Sequence, residues 1–243
     1  MMAINIETYL NSLFEDITIL DISGKGIKYL PDLTRFKNLQ ILHCSDNKLT
    51  SLPTLPQNLN ILYCFNNQLT SLPSLPQNLI TLDCSNNKLT SLPILPQNLH
   101  KLDCCNNKLT SLPTLPQNLQ ELYCSNNQLT YLSALPQNLQ ELYCYYNKLI
   151  YLPILPQILQ IFDCFNNPIY EIVNNNSLIK TKQNIQILNN FRHLYYCLKF
   201  KNQFRKWLWE KVREPNVKKL YNPNYLIEIL GNEDDLDSVL YNW

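Results

Sequence analysis

A phrase of twenty residues recurs along most of this chain and constrains its fold more than any other feature. One copy, "LPTLPQNLNILYCFNNQLTS", spans residues 52–71, with a leucine two places before its cysteine and an asparagine three places after it. The repeated cysteines are Cys44, Cys64, Cys84, Cys104, Cys124, Cys144 and Cys164. A fixed period of this length is typical of a solenoid, in which each repeat stacks on the next.

Within each repeat, buried and solvent-facing residues are predicted to alternate. In "LYCFN", Leu62 and Cys64 alternate with Tyr63 and Phe65, which predicts a short strand with the first pair in the core and the second outward. Stacked copies then form a parallel sheet. The asparagine is predicted to end the strand and to hydrogen-bond backbone groups of the adjacent turn. Two prolines in the following "LPTLPQN" exclude a helix and predict an extended or polyproline-like convex side.

The ladder of cysteines is predicted to be structural, because a free thiol in an inward position behaves as a small hydrophobic group. In-register parallel strands keep neighbouring Cβ atoms about 4.8 Å apart, which is wider than a disulfide prefers. Zinc needs four converging ligands, whereas these thiols form a line. We therefore predict no metal and no cofactor. Cys105 lies off the ladder and is expected to face outward, as the most reactive thiol.

Signals of an enzyme are missing from the sequence. The whole chain has three glycines, too few for a loop that cradles phosphates. His43 and Asp83 share a predicted column of the sheet, but two strands separate them by about 10 Å, too far for a general-base pair. We therefore predict a protein without catalytic residues.

The repeat unit LxxLxCxxNxLxxLPxLPQN resembles the leucine-rich repeat, with cysteine in place of the usual leucine at the second inward position. The doubled proline phrase is similar to the short LPX class found in bacterial type III secreted effectors. Some of those effectors carry a ubiquitin-ligase domain with a catalytic Cys-x-Asp motif. The matching Cys44-Ser45-Asp46 here belongs to a repeat, so a ubiquitin-pathway effector is kept only as a minor alternative.

A nearer resemblance is to the leucine-rich repeat proteins of giant DNA viruses. It rests on the cysteine-bearing LPQN repeats and on the segment "FRHLYYCLKFKNQFRKWLWEKVREP". This resemblance implies an intracellular protein, in the cytoplasm of an infected host cell, with a host or viral protein as partner. The sequence agrees, because the first twenty residues lack a basic leader and no apolar run approaches the roughly 18 residues of a membrane span.

Three segments are predicted. Residues 1–16 form an amphipathic helical cap in which Ile6, Leu10, Leu13 and Phe14 cover the first repeat. Residues 17–170 form the array of eight strands. Residues 171–243 change to helical periodicity and cap the far end.

We predict a non-enzymatic module that binds a partner protein on the concave face of the sheet, where early repeats carry residues such as His43 and Ser85 and late repeats carry aromatic ones. Tyrosine is enriched at binding hot spots. The predicted partner-binding residues are Tyr123, Tyr143, Tyr145, Tyr146, Phe165, Glu121 and Glu141.

An alternative function rests on charge. The chain has a net charge of +1, but residues 178–220 hold eleven Lys or Arg against two Glu, a net charge of +9. Arg192, Lys199, Lys206 and Arg213 recur every seven residues and form one basic stripe on a helix. This stripe predicts either an adaptor or nucleic-acid-associated protein, or a solvated face of the cap.

Overall fold

Eight short strands form one parallel sheet in chain order. The computed structural model describes residues 5–174 and 177–199, without the side chains of residues 193–198. The strands are β1 (Ile19–Asp21), β2 (Ile41–His43), β3 (Ile61–Tyr63), β4 (Thr81–Asp83), β5 (Lys101–Asp103), β6 (Glu121–Tyr123), β7 (Glu141–Tyr143) and β8 (Ile161–Asp163). Leu20 pairs with Leu42, Leu42 with Leu62, and each later strand follows the same register. The predicted leucine-rich-repeat solenoid is confirmed; one strand with its loop is called a rung below.

The core is a stack of equivalent side chains. In β2 to β7 the middle residue of the strand and the cysteine two places later point inward, and Leu62 and Cys64 are both 0% exposed. Leucines from the loops, such as Leu59 and Leu69, close the core and are equally buried. The proline-bearing loop contains neither helix nor strand, and its turn is closed by the Leu59 N–H donating to the Pro56 carbonyl at 3.2 Å. The prediction of an extended side opposite the sheet is correct.

From the second rung onward, the asparagine of each rung ties two rungs together through backbone groups. The Nδ2 of Asn67 donates to the carbonyl oxygens of Cys44 at 3.0 Å and Cys64 at 3.1 Å. Its Oδ1 accepts from the Leu49 N–H at 2.9 Å. These contacts confirm the predicted role of asparagine, and they add bonds to the preceding rung that hold the stack in register.

The first rung lacks this asparagine, because Lys25 stands in its place. Asn47 of the second rung still makes the usual bonds to the preceding rung, since its Nδ2 donates to the Ile22 carbonyl at 2.9 Å and its Oδ1 accepts from the Ile27 N–H at 3.1 Å. Gly24 takes the left-handed position of the turn, with φ at 63°. The irregular first copy therefore stacks in register on the second, although it lacks its own asparagine.

A short helix, α1 (Ile6–Asn11), lies against the start of the array. Asn5 caps it by accepting from the Thr8 N–H at 3.2 Å, and Ile6 and Leu10 are buried. Phe14 was expected to join them but is 80% exposed. The reason is that α1 ends at Asn11, so the helical period no longer holds at residue 14.

Within the described residues, two helices follow the last strand, α2 (Tyr170–Val173) and α3 (Leu178–Lys199). Val173 and Ile185 are buried in the core, and Lys182 Nζ donates to the carbonyls of Gln157 at 2.9 Å and Leu159 at 3.0 Å. The start of α3 therefore packs on the last rung. By its internal contacts the chain divides into units 1–189 and 190–243, with the boundary inside α3. The rest of the predicted helical region lies outside the described residues.

Candidate partner-binding face

The first and third residues of each strand lie on the face of the sheet that points away from the core. On β6 these are Glu121 and Tyr123, and on β7 they are Glu141 and Tyr143, all partly exposed. Register places Glu121 beside Glu141 and Tyr123 beside Tyr143. Four of the predicted partner-binding residues are therefore neighbours on one surface.

Two carboxylates converge on the hydroxyl of Tyr123. Its oxygen lies 3.0 Å from Glu121 Oε2 and 2.6 Å from Glu141 Oε2. Partial burial, together with these two acceptors, raises the pKa of Tyr123 well above its usual value. A phenol has one proton to donate, so it satisfies only one of the carboxylates at a time.

Lys101 on β5 neutralises one of these acids. Its Nζ lies 2.6 Å from Glu121 Oε2 and 4.9 Å from the centroid of the Tyr123 ring. The hydrogen bond to Lys101 lowers the pKa of Glu121, and the same bond raises the pKa of Lys101. Glu141 makes no ion pair with any residue in the described part of the chain.

Tyr123 and Tyr143 stack on each other, with ring centroids 5.2 Å apart and planes 29° from parallel. Tyr143 also pairs in register with Asp163 on β8. Its ring is therefore flanked by Glu141 on its own strand, by Asp163 on the next strand and by an aromatic ring on the preceding one.

A second aromatic group lies just beyond the strand ends. Tyr145, Tyr146, Phe165 and Tyr170 follow one another edge to face, with centroid distances of 5.8, 5.7 and 5.4 Å. Tyr146 and Phe165 are 47% and 48% exposed. Sequence reasoning missed Tyr170, because the period aligns it with Thr130 and Ile150, whereas in the structure it begins α2.

The early rungs are less different from the late ones than expected. Tyr63 and Phe65 occupy the same columns as Tyr143 and Tyr145, and the rings of His43 and Tyr63 lie 4.6 Å apart. The predicted contrast between polar early rungs and aromatic late rungs left out the rung that carries Tyr63 and Phe65. What distinguishes the late end is the combination of stacked tyrosines with glutamates.

The strand residues on this face are strongly acidic. They include six carboxylates against the single Lys101, a net charge of −5, whereas the whole chain is +1. The carboxylates are Asp21, Asp83, Asp103, Glu121, Glu141 and Asp163. Burial raises the pKa of Asp103, and the charge of Asp83 on the neighbouring strand adds to the shift.

All eight cysteines whose side chains the structure describes are free thiols. Burial raises the pKa of the ladder thiols, to about 12 for Cys44. Cys105 is only partly exposed, and burial followed by the charge of Asp103 raises its pKa to about 12 as well. Cys105 therefore lies off the buried ladder, as expected, and is more exposed than the ladder thiols.

Over residues 5–174 and 177–199, no three His, Cys, Asp or Glu side chains gather as a metal site requires. A cavity of about 390 Å³ lies between β8 and the start of α3, lined by residues that include Asp163, Tyr170 and Thr181. Asp163 both lines this cavity and belongs to the acidic face of the sheet.

The basic stripe is described only in part. Arg192 and Lys199 are exposed on α3. Lys206 and Arg213 lie outside the described residues, so the stripe remains a prediction. Among the helices described, none has both the length and the apolar character to cross a bilayer.

Comparison with known proteins supports the repeat assignment. Residues 37–77, 77–117 and 97–137 match a family model described as leucine-rich repeats in two copies. A search of curated protein sequences gave no significant match.

Solved structures of bacterial proteins share the fold. YopM, a leucine-rich effector protein from Yersinia pestis, is 38% identical with a TM-score of 0.62, over 63% of this chain and 44% of YopM. A Shigella effector LRR domain is 33% identical with a TM-score of 0.59, over 67% of this chain and 73% of that domain. The functional domain of InlJ from Listeria monocytogenes, described as including a cysteine ladder, is 29% identical with a TM-score of 0.52, over 62% of this chain and 40% of that domain. The chain thus spans less than half the length of YopM.

Proposed function

Because the chain belongs to the leucine-rich repeat family, we propose that it is a non-enzymatic module that binds a partner protein on the acidic, concave face of its sheet. The late rungs form the centre of this site. The observation that carries the proposal is the stack of Tyr123 on Tyr143 beside Glu121 and Glu141. Tyrosines offer large contact area, and held in a stack they lose little freedom on binding.

The second aromatic group extends the proposed site beyond the strand ends. Tyr145, Tyr146 and Phe165 form a connected surface whose members stay partly exposed. Connected exposed apolar surface on a folded protein often marks a binding region. The partner would therefore contact both the sheet face and the adjoining edge.

The kind of partner and the place where it is bound are part of the same proposal. Members of the family and proteins of this fold are generally interaction scaffolds, and two of the similar structures are named as effectors. We propose a host or viral protein as partner, inside an infected cell. The resemblance to giant-virus proteins stays a prediction, because the relatives described above are bacterial.

The test compares matched variants at the two ends of the face. Tagged wild-type protein, a Tyr123→Ala/Tyr143→Ala/Tyr145→Ala variant and a Tyr63→Ala/Phe65→Ala variant are used to capture proteins from host-cell extract. The control variant removes aromatic rings from the same columns on an early rung. Loss of a captured protein with the late variant alone supports the proposal, provided that the melting temperatures agree. Equal capture by all three proteins would reject the late rungs as the site.

A second function remains open for the basic stripe, because Arg192 and Lys199 lie exposed two helical turns apart on α3. Reversing the charges of Arg192, Lys199, Lys206 and Arg213 tests it. Unchanged binding to RNA, DNA and cellular partners would leave the segment without this role. Phosphate binding would instead weaken steeply as salt rises.

A further inference from the structure

We propose that the partner segment places a basic side chain, preferentially arginine, over Tyr143 and against Glu141. This inference rests on the proposed function and names the chemistry that the late-rung site recognises. It follows from a contact within the chain itself, because Lys101 binds the carboxylate of Glu121 and the ring of Tyr123 one rung earlier.

Lys101 shows what the face does with a cation. Its ammonium group contacts both a carboxylate, Glu121, and the ring of Tyr123. A cation over an aromatic face gains energy from the ring quadrupole, and a carboxylate beside it adds a charge-assisted hydrogen bond. All three residues lie on adjacent strands of the exposed face.

The next rung repeats the acceptor half of this arrangement without its cation. Glu141 and Tyr143 take the places of Glu121 and Tyr123, while Glu121 stands where a second lysine would be. Glu141 makes no ion pair within the described residues, and Asp163 adds a further carboxylate beside Tyr143. The site therefore holds acid and aromatic surface that a basic side chain from outside would complete.

Charge complementarity favours a basic peptide segment as the occupant. The exposed strand positions carry a net charge of −5, so they repel nucleic acid and attract cations. Arginine suits the site better than lysine, because its planar guanidinium stacks on a tyrosine ring while donating two hydrogen bonds to a carboxylate.

Fluorescence anisotropy with fluorescein-labelled nona-arginine tests the site directly. Glu141→Gln keeps the shape and an acceptor for the Tyr123 hydroxyl but removes the charge, so we expect affinity to fall about tenfold. Glu15→Gln makes the same change at an exposed position outside the sheet and should leave affinity unaltered. Lys101→Met removes the internal competitor and should raise affinity in a variant whose melting temperature matches that of wild type.

The role of the ring is tested separately. Tyr143→Phe keeps the aromatic face and should retain most of the affinity, whereas Tyr143→Leu keeps apolar bulk alone and should lose it. Nona-lysine should bind more weakly than nona-arginine. Equal affinity of wild type, Glu141→Gln and Tyr143→Leu would overturn the proposal.

The capture assay separates this inference from the proposed function. If Glu141→Gln captures the partner as well as wild type while the triple tyrosine variant does not, the face binds a partner but not through this cation site. If the triple variant also captures it, the proposed function fails. A second copy of the chain is a competing occupant, and a change from dimer to monomer on Glu141→Gln in sedimentation would identify it and overturn the proposal.

Discussion

The side-chain amide of Asn87 donates a hydrogen bond to the carbonyl oxygen of Cys64, on the preceding rung, over 3.0 Å. The same nitrogen reaches the carbonyl of Cys84 at 3.1 Å, and the amide oxygen accepts from the Leu69 N–H at 2.9 Å. One polar side chain thus satisfies backbone groups of two rungs inside the core. The equivalent asparagines form a continuous ladder beside the thiols.

Replacing Asn87 by alanine should cost about 2 to 4 kcal/mol of the free energy of unfolding, because several buried backbone groups lose their partners. Asn78→Ala is the matched control, since its amide donates to the Gln57 carbonyl at 3.4 Å on an exposed loop. That change should cost less than about 0.5 kcal/mol. Urea denaturation measures the free energy of unfolding of both variants. Equal losses would contradict the structural role of the buried asparagines.

Most of the fold could be predicted because stacking converts a period in sequence into a contact in space. Residues twenty apart become neighbours, which places Leu62 beside Leu82 and Tyr123 beside Tyr143. Reading down a column also pairs Lys101 with Glu121, a contact that pattern matching within single repeats overlooks. Phe14 and Tyr170 could not be placed in this way. Phe14 precedes the repeats and Tyr170 begins a helix at the end of the last one, so the environment of each depends on where a helix ends or begins.

The ladder thiols should react very slowly in the folded protein. Burial leaves Cys64 at 0% exposure and holds its pKa well above the usual value, so almost no thiolate is present near neutral pH. Cys105 is partly exposed and should react faster than these thiols, although its raised pKa makes it slower than a free cysteine. Iodoacetamide labelling followed by peptide mass spectrometry gives the rates, with the urea-unfolded chain as reference. A ladder thiol that reacts as fast as Cys105 would show that the core opens readily.

Asp103→Asn should raise the melting temperature at pH 7. Burial and the charge of Asp83 raise the pKa of Asp103 in the folded state, so the folded protein binds a proton more readily than the unfolded chain. Stability therefore falls as the pH rises from the ordinary carboxyl range through this raised pKa. Asparagine removes the unfavourable charge and keeps an oxygen for the Cys105 N–H, which now donates to Asp103 at 3.0 Å.

This gain should shrink as the pH is lowered, because Asp103 then becomes neutral in both states. Asp163→Asn serves as the control, since Asp163 accepts from the Phe165 N–H at 2.9 Å but pairs in register with Tyr143 instead of another acid. Thermal melts at several pH values compare the two. A gain for Asp103→Asn that persists unchanged at low pH would reject the electrostatic explanation.

Tyr146 occupies a backbone position that the other repeats reserve for residues with short polar side chains. Its φ is 53°, in the left-handed region, where the equivalent residues are Asp46, Asn66, Asn86, Asn106, Asn126 and Asn166. Asparagine adopts this conformation readily, whereas other non-glycine residues are strained there by about 1 to 2 kcal/mol. A strained residue that is kept at one rung alone points to a functional reason for its side chain.

Two substitutions separate backbone strain from the lost aromatic contacts of Tyr146 with Tyr145 and Phe165. Tyr146→Asn and Tyr146→Ala both remove the ring, but only asparagine suits the left-handed backbone, so the asparagine variant should be more stable by about 1 kcal/mol. At Tyr145, whose φ is not positive, the same pair should differ by less than about 0.5 kcal/mol. Both variants at residue 146 should also weaken partner capture, because the ring is lost in each. A fully active Tyr146→Asn variant would mean that the strain at this rung serves no binding role.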